Sequence, residues 1–261
     1  MSLARIDSDG KGVIISNGAL VLPAFNETES IYNLLHELDL HVPPNWHLIV
    51  VDDSPSDRTG AHVKKAFSEL KRDQSTLHLI SNSQKSGRGA AVQQAFSFAI
   101  TKIDFDFIIE MDSDGSHTFE SVLSILNAPI DQDFVIGSRY LQNSKITGWP
   151  LSRRVFSRGT NFLLKELFGI GITDWTNGLR RYSAKAIDIQ HNYDFQNNGF
   201  ICLSEQILLL RDHGISAFEV PISFVDRTHG ASTVTHMEIF KSLKGIVGLY
   251  KEWKWHHHRD L

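Results

Sequence analysis

Residues 18 to 25 read GALVLPAF, an unbroken apolar run, and from Glu27 to Leu40 the leucines Leu34, Leu35 and Leu38 follow at helical spacing. A strand that is apolar on both faces is a strand covered on both faces, so the pair reads as buried strand and then helix. The unit recurs. HLIVV (residues 47 to 51) precedes a predicted helix around Arg58 to Leu70, and LHLI (77 to 80) precedes one around Gly89 to Ile100. FIIEM (107 to 111) precedes another over Phe119 to Leu126. Such alternation predicts an α/β chain built on a mainly parallel central sheet flanked by helices. Ligands of these sheets bind beyond the carboxyl ends of the strands. Three post-strand loops are rich in polar groups, Asn26-Glu27, Asp52-Asp53-Ser54 and Asp112-Ser113-Asp114, and they are expected to converge on one site.

After FVIGSRY (134 to 140) the alternation ends. A helix near Arg153 to Phe168, a glycine-containing segment at Thr176 to Arg181 and a helix from Leu203 to Asp212 follow. FEVPISFV (218 to 225) reads as one strand, and a basic amphipathic tail closes the sequence. Repeats, low-complexity stretches and linkers are absent, which predicts one continuous domain.

With 261 residues, 41% hydrophobic and 21% charged, the chain has apolar material for a sizeable core and none of the bias of a disordered or collagen-like sequence. Lys and Arg number 26 against 30 Asp and Glu, a net charge of −4 that argues against nucleic acid as a partner. The single cysteine, Cys202, cannot form an internal disulfide, which suits a reducing compartment. No run approaches the roughly 18 apolar residues of a membrane span, and no signal-peptide core opens the sequence. The expectation is a cytoplasmic protein, soluble or peripheral.

Asp112 and Asp114 follow a buried strand one residue apart. In extended backbone both carboxylates face one side, where a hard cation such as Mg²⁺ or Mn²⁺ relieves their repulsion; the alternative is a solvated turn. Asp53 suits hydrogen bonds from a base or ribose, or else an N-cap for the helix near Arg58. Lys85-Ser86-Gly87-Arg88-Gly89 joins two glycines, two cations and a helix N-terminus, a setting for an anion or simply a basic turn. Val92 stands where a third Rossmann glycine belongs, so a dinucleotide fingerprint is disfavoured.

Laid in order, these loops resemble the family 2 glycosyltransferases of GT-A fold, and within them the dolichyl/polyprenyl-phosphate mannose synthase branch. LPAFNE (22 to 27), VVDDSPSDRTG (50 to 60), KSGRGAA (85 to 91), MDSDGSH (111 to 117), GSRY (137 to 140), DWTNGLRRY (174 to 182) and EVPISFVDRTHGAS (219 to 232) follow in family order. The resemblance implies a single GT-A domain over residues 1 to 235, with a nucleotide-binding half at about 18 to 140, an acceptor half to 235, and a tail from 236 to 261. It implies a nucleotide-diphosphate sugar as donor, with Pro23, Phe25, Glu27, Asp53, Lys85 and Asp112 around the nucleotide. Asp112 and Asp114 would hold Mg²⁺ or Mn²⁺, with Ser116 at a further metal-contacting position. Arg139, Arg158, Asp174, Arg180, Arg227 and Ser232 would face the acceptor. By the same resemblance Asp114, Arg139, Arg227 and Glu205 would form the catalytic set, Glu205 as base or orienting group.

Three departures stand out. Thr233 follows Ser232 where the branch usually has Lys, removing one expected phosphate-binding cation. Asn177 and Leu179 replace the usual Ser and Phe, and Gly115 replaces Leu beside the carboxylate pair. The implied reaction is inverting hexosyl transfer, mannose from GDP-mannose to a polyprenyl or dolichyl phosphate. The alternative is a family 2 enzyme that uses UDP-glucose or another donor and a hydroxyl acceptor. In the tail, Ile239, Leu243, Ile246, Tyr250 and Trp253 recur among Lys241, Lys244, Lys251 and Lys254. That pattern suits a membrane surface or packing on the domain itself, and the resemblance also implies peripheral association or a small membrane partner subunit.

Overall fold

The computed structural model describes residues 4–6, 12–14, 17–56, 58–197, 199, 201–226 and 236–257. A short antiparallel ribbon, β1 (Ala4–Ile6) with β2 (Gly12–Ile14), precedes the main body. There β3 (Gly18–Ala24), α1 (Glu29–His41), β4 (His47–Asp52), α2 (Arg58–Glu69), β5 (Leu77–Ser81), α3 (Arg88–Lys102), β6 (Phe107–Glu110), α4 (Phe119–Leu126) and β7 (Phe134–Ser138) alternate as the apolar runs require. Then come β8 (Lys145–Thr147), α5 (Leu151–Phe168), β9 (Arg180–Ser183), α6 (Ala184–His191), α7 (Cys202–Asp212), β10 (Ala217–Pro221), β11 (Ser223–Val225) and α8 (His236–His257).

Seven strands form one sheet in the order β10-β7-β9-β6-β3-β4-β5. Only β9 runs antiparallel to its neighbours. Period-two alternation divides the core. Leu20, Leu22, Leu48 and Val50 face one cluster with Leu35 of α1, Val63 of α2 and Ile125 of α4. Ala19, Val21, Ile49 and Val51 face the other with Phe96 of α3, Ile187 of α6 and Leu210 of α7. Each buried Val, Leu or Ile contributes roughly 1.5–3 kcal/mol, and the central strands have such residues on both faces.

Two expectations are corrected. The run from Phe218 to Val225 is not one strand: β10 pairs with β7 in the main sheet, while β11 pairs with β8 in a separate two-stranded ribbon. Ile222 sits at the switch, donating to Ser138 O at 3.2 Å and accepting from Lys145 N at 3.0 Å, so the chain leaves one partner strand for the next. The glycine segment before Arg181 runs directly into β9, whose sequence RRYS carries no apolar pattern. Arg180 and Arg181 are nevertheless fully buried, because their guanidinium groups donate to main-chain carbonyls.

The tail packs on its own domain where its side chains are described. Ile246 and Leu249 are buried in the second cluster, and the Trp253 ring meets Phe168 edge-on at 5.5 Å. The side chains of Ile239, Leu243 and Trp255 lie outside the described residues.

Candidate active site

The parallel register brings the ends of β3, β4 and β5 level, with Ala24 opposite Asp52 and Asp52 opposite Ser81. Beyond them the polar loops meet. Asp52 accepts from Ser54 N at 3.0 Å, and Ser54 Oγ in turn accepts from Asn26 N at 2.8 Å, which ties the first loop to the second. Pro23 O accepts from Ser113 Oγ at 2.8 Å and so ties the first loop to the carboxylate loop. Glu27 accepts from Ser30 Oγ at the start of α1.

Asp53 does not cap α2. Its Oδ1 accepts from Ser86 N and Ser86 Oγ, both at 2.7 Å, and from Asn82 Nδ2 at 3.0 Å, while Oδ2 accepts from Gly87 N at 2.7 Å. Burial works to raise its pKa, yet these donors prevail and hold the carboxyl below its usual range. Asp53 therefore shapes the loop that opens α3. Gly87 takes φ 94°, backbone that favours glycine, at the turn into the helix. Just before it, the Lys85 ammonium lies 3.9 Å from the Phe25 ring centroid, a cation–π contact that joins two residues of the nucleotide set.

Beyond β6 lies a charge network that the sequence reading did not anticipate. Arg88 donates to Glu110 and, at 2.9 Å, to Asp112 Oδ1. Glu110 is fully buried and also accepts from Tyr182 OH at 2.8 Å. His117 Nε2 approaches Asp112 Oδ2 at 3.3 Å. Burial opposes the charge on Asp112, but Arg88 and His117 hold its carboxyl far below the usual range. Burial likewise opposes the charge on Arg88, and Glu110 and Asp112 overcome it. A glutamate inside the apolar run FIIEM is the signal that could have found this pair, since a buried carboxylate requires a cation.

Asp114 follows at the turn, where its Oδ1 accepts from Ser116 N at 3.0 Å. Ser116 Oγ and His117 Nδ1 are buried and have no hydrogen-bond partner among the described residues. Gly115, at φ 74°, supplies the left-handed backbone of this loop, so the departure from Leu there has a conformational reason.

A second ion pair lies beyond β7. Arg139 grips Asp174 with two parallel bonds, Nε to Oδ2 at 2.7 Å and Nη2 to Oδ1 at 2.8 Å, and Nη2 also reaches Thr176 Oγ1 at 2.9 Å. Burial disfavours its charge, but Asp174 outweighs this and the guanidinium stays protonated above its ordinary value. Arg139 lies among the rings of Tyr140, Trp149 and Phe224 at 5.2–5.7 Å. Arg158 also lies 5.7 Å from the Tyr140 centroid.

Two residues of the expected acceptor and catalytic sets sit elsewhere. Arg180 is fully buried, donating to the carbonyls of Asn177, Leu203 and Trp175 and to Gln206 Oε1, so it braces β9 against α7 and does not reach an acceptor rim. Glu205 is buried and accepts from Gln196 N, Asn197 N, Asn197 Nδ2 and Tyr193 OH at 2.8–3.2 Å, a clamp on the segment before α7. Those donors leave Glu205 poorly placed as a base. Arg227, Ser232 and Thr233 lie outside the described residues.

Comparison with known proteins follows the same architecture. The profile of Glycosyl transferase family 2 matches residues 19–188. Polyprenol monophosphomannose synthase of Mycolicibacterium smegmatis is 29% identical over 235 residues, 90% of this chain and 85% of that protein. Undecaprenyl-phosphate mannosyltransferase of Micrococcus luteus is 30% identical over 239 residues, 90% of this chain and 95% of that protein. Among solved structures, glucosyl-3-phosphoglycerate synthase of Mycobacterium tuberculosis with Mn²⁺, UDP and glucosyl-3-phosphoglycerate superposes at TM-score 0.63 and 16% identity, covering 91% of this chain and 79% of that one. A Pyrobaculum calidifontis mannosyltransferase with GDP-Man and Mn²⁺ gives TM-score 0.56 at 14% identity, covering 82% and 58%. These structural likenesses show the GT-A fold. The chain belongs to Glycosyl transferase family 2 and is a glycosyltransferase similar to the polyprenyl-phosphate mannose synthase branch of that family.

Proposed function

We propose that the enzyme transfers mannose from GDP-mannose to the phosphate of a polyprenyl phosphate, with inversion at the anomeric carbon, at the cytoplasmic face of a membrane. The observation that carries this reading is similarity along nine-tenths of the chain to two relatives named for prenyl-phosphate mannosyl transfer.

The residues beyond β6 fit a divalent cation. Asp112 and Asp114 are hard oxygen donors, and the buried Ser116 Oγ lacks any hydrogen-bond partner among the described residues. Mg²⁺ or Mn²⁺ commonly takes one or two protein carboxylates and completes its shell with substrate phosphate oxygens. When bound, the cation supplies Lewis-acid neutralisation of the leaving diphosphate. The chain's own part is positioning. Lys85 and the loop that Asp53 shapes border the diphosphate at the N-terminus of α3, while Pro23, Phe25 and Glu27 border the base and ribose.

Arg139, held rigid by Asp174, and Arg158 orient the acceptor phosphate, with Arg227 and Ser232 assigned to the same role by the family motif. A phosphate acceptor is already anionic, so no strong base is required. Asp174 is committed to Arg139 and Glu205 to main-chain donors, which favours a phosphate acceptor over a hydroxyl one.

The test is incubation of the enzyme and Mn²⁺ with radiolabelled GDP-mannose or UDP-glucose and a short-chain polyprenyl phosphate. Label from GDP-mannose in an organic-extractable, mild-acid-labile product is expected, and its loss in Asp114→Ala without loss of fold. Label only in water-soluble products would overturn the assignment.

A further inference from the structure

Glu219 of β10 is a half-buried carboxylate that lies opposite Ile136 of β7 in the parallel register. Its hydrogen-bond donors among the described residues all come from Thr173 and Asp174. Oε2 accepts from Thr173 N at 2.8 Å, and Oε1 accepts from Thr173 Oγ1 at 2.8 Å and from Asp174 N at 3.0 Å. Burial pushes its pKa up against these donors, which pull it down. A carboxylate so placed fixes the main chain at 173–174, and two lines of hydrogen bonds lead from there to Arg139.

The first line runs through Asp174, which is fully buried. Its Oδ2 accepts from Arg139 N at 3.0 Å and from Arg139 Nε at 2.7 Å, so it holds both the backbone and the guanidinium of that residue. The second runs through hydroxyls. An ionised carboxylate only accepts, so Thr173 must donate its proton to Glu219 and accept from Ser138 Oγ, 2.6 Å away. Ser138 Oγ then accepts from Tyr140 N at 3.2 Å. The backbone N–H groups of Arg139 and Tyr140 are thus both met by acceptors that Glu219 orders.

We propose that Glu219 is a positioning residue of the acceptor site, setting Arg139 through Asp174 on one line and through Thr173 and Ser138 on the other. The proposal rests on the reading of Arg139 as a ligand of the acceptor phosphate, and it deepens that reading. Glu219 does not touch the acceptor. It fixes the direction in which the guanidinium points, which a bidentate partner such as phosphate requires. Glu219→Gln keeps the size and removes the order. At the Oε2 position its NH₂ would face Thr173 N, and at the Oε1 position it would face Asp174 N and reverse the hydroxyl line.

The experiment is calorimetric titration of the full chain with farnesyl phosphate, a short-chain polyprenyl phosphate, and separately with GDP-mannose and Mn²⁺, alongside steady-state transfer. Glu219→Gln is expected to weaken farnesyl phosphate about tenfold and GDP-mannose by less than about twofold. Thr173→Val, which removes only the hydroxyl line, is expected to weaken farnesyl phosphate about threefold. In an Arg139→Lys background, itself weaker for the acceptor, Glu219→Gln should add less than about twofold, because both changes act through one group. Wild-type acceptor affinity in a folded Glu219→Gln overturns the proposal, as it does in Thr173→Val should the first variant fail to fold. Equal losses for donor and acceptor, or losses that multiply in the double variant, also overturn it, since they describe a general brace. If the binding differences appear but wild type transfers no mannose to farnesyl phosphate, the positioning role stands and the transfer assignment falls. If wild type does not bind farnesyl phosphate, both fall.

Discussion

Arg88 Nη2 donates to Asp112 at 2.9 Å while its Nη1 is bound to Glu110, so one largely enclosed cation holds the carboxylate expected to ligate the metal. The planar fork of arginine spans two carboxylates as no ammonium can. Arg88→Leu strands Glu110 in the core with Tyr182 OH as its one remaining hydrogen-bond partner among the described residues, and it should cost about 3–5 kcal/mol of stability. Arg88→Leu/Glu110→Gln should recover most of that loss. Transfer should stay at least about tenfold below wild type in the double variant, about 1.4 kcal/mol in the barrier, because Asp112 has lost its orienting partner. Urea denaturation and steady-state kinetics on both variants separate the two effects.

Gly178 is the third member of that arrangement. A Cβ built there would stand 2.4 Å from Arg88 Nη2 and 2.5 Å from Asp112 Oδ1, closer than any real contact. Both atoms belong to a charge pair that Glu110 holds from one side and His117 from the other. Gly178→Ala is therefore expected to displace the pair and reduce transfer about tenfold or more, with an overpacking cost of roughly 1–3 kcal/mol. Kinetics together with the urea midpoint check it, and full activity would show that the pair is not held in this geometry.

Asp53 predicts a different signature, because its four donors all come from the loop before α3. Asp53→Asn keeps the size but turns an N–H toward Ser86 or Gly87, leaving a buried donor unmet at about 1–3 kcal/mol. The Asp53 pKa is lowered in the fold, so its stabilisation is complete above the unfolded value and is lost as pH falls through the folded one. The stability deficit of Asp53→Asn should thus be full at neutral pH and shrink in acid, which urea midpoints at pH 7 and pH 3 measure. A donor affinity that falls with it would tie the loop to the nucleotide.

The parallel half of the fold was legible because its strands are buried on both faces and read as unbroken apolar runs; Phe119–Leu126 is the helix the pattern specifies. β9 was not, since Arg180 and Arg181 satisfy their charge on carbonyls distant in sequence. The same reason separates the legible part of the site from the rest. Asp112 and Asp114 announce themselves by spacing after a strand. The roles of Arg88, Glu110, His117 and Gly178 depend on four segments meeting, and no local pattern encodes that. Tail amphipathicity was real but ambiguous, since an apolar stripe looks alike whether it meets a core or a membrane. Burial of Ile246 and Leu249 places the described part of the α8 stripe against the core.

Near the starts of β4 and β5, His47 Nδ1 and His78 Nε2 lie 2.8 Å apart on adjacent strands, with the rings stacked at 5.1 Å. Only one proton can lie between them. Burial first, and then the neighbouring His47, lower the His78 pKa from 6.5 to about 4; burial and Arg72 lower that of His47 as well. A histidine with a depressed folded pKa binds fewer protons folded than unfolded, so stability falls as pH drops from the unfolded value toward the folded one. The enzyme should therefore lose stability between about pH 6.5 and about pH 4. His78→Gln removes the charge that the fold resists and should flatten that part of the profile, with a modest loss at pH 8 from the missing ring contact with Phe98. Melting temperatures across the range decide it: an unchanged acid slope in the variant would assign the loss to other groups.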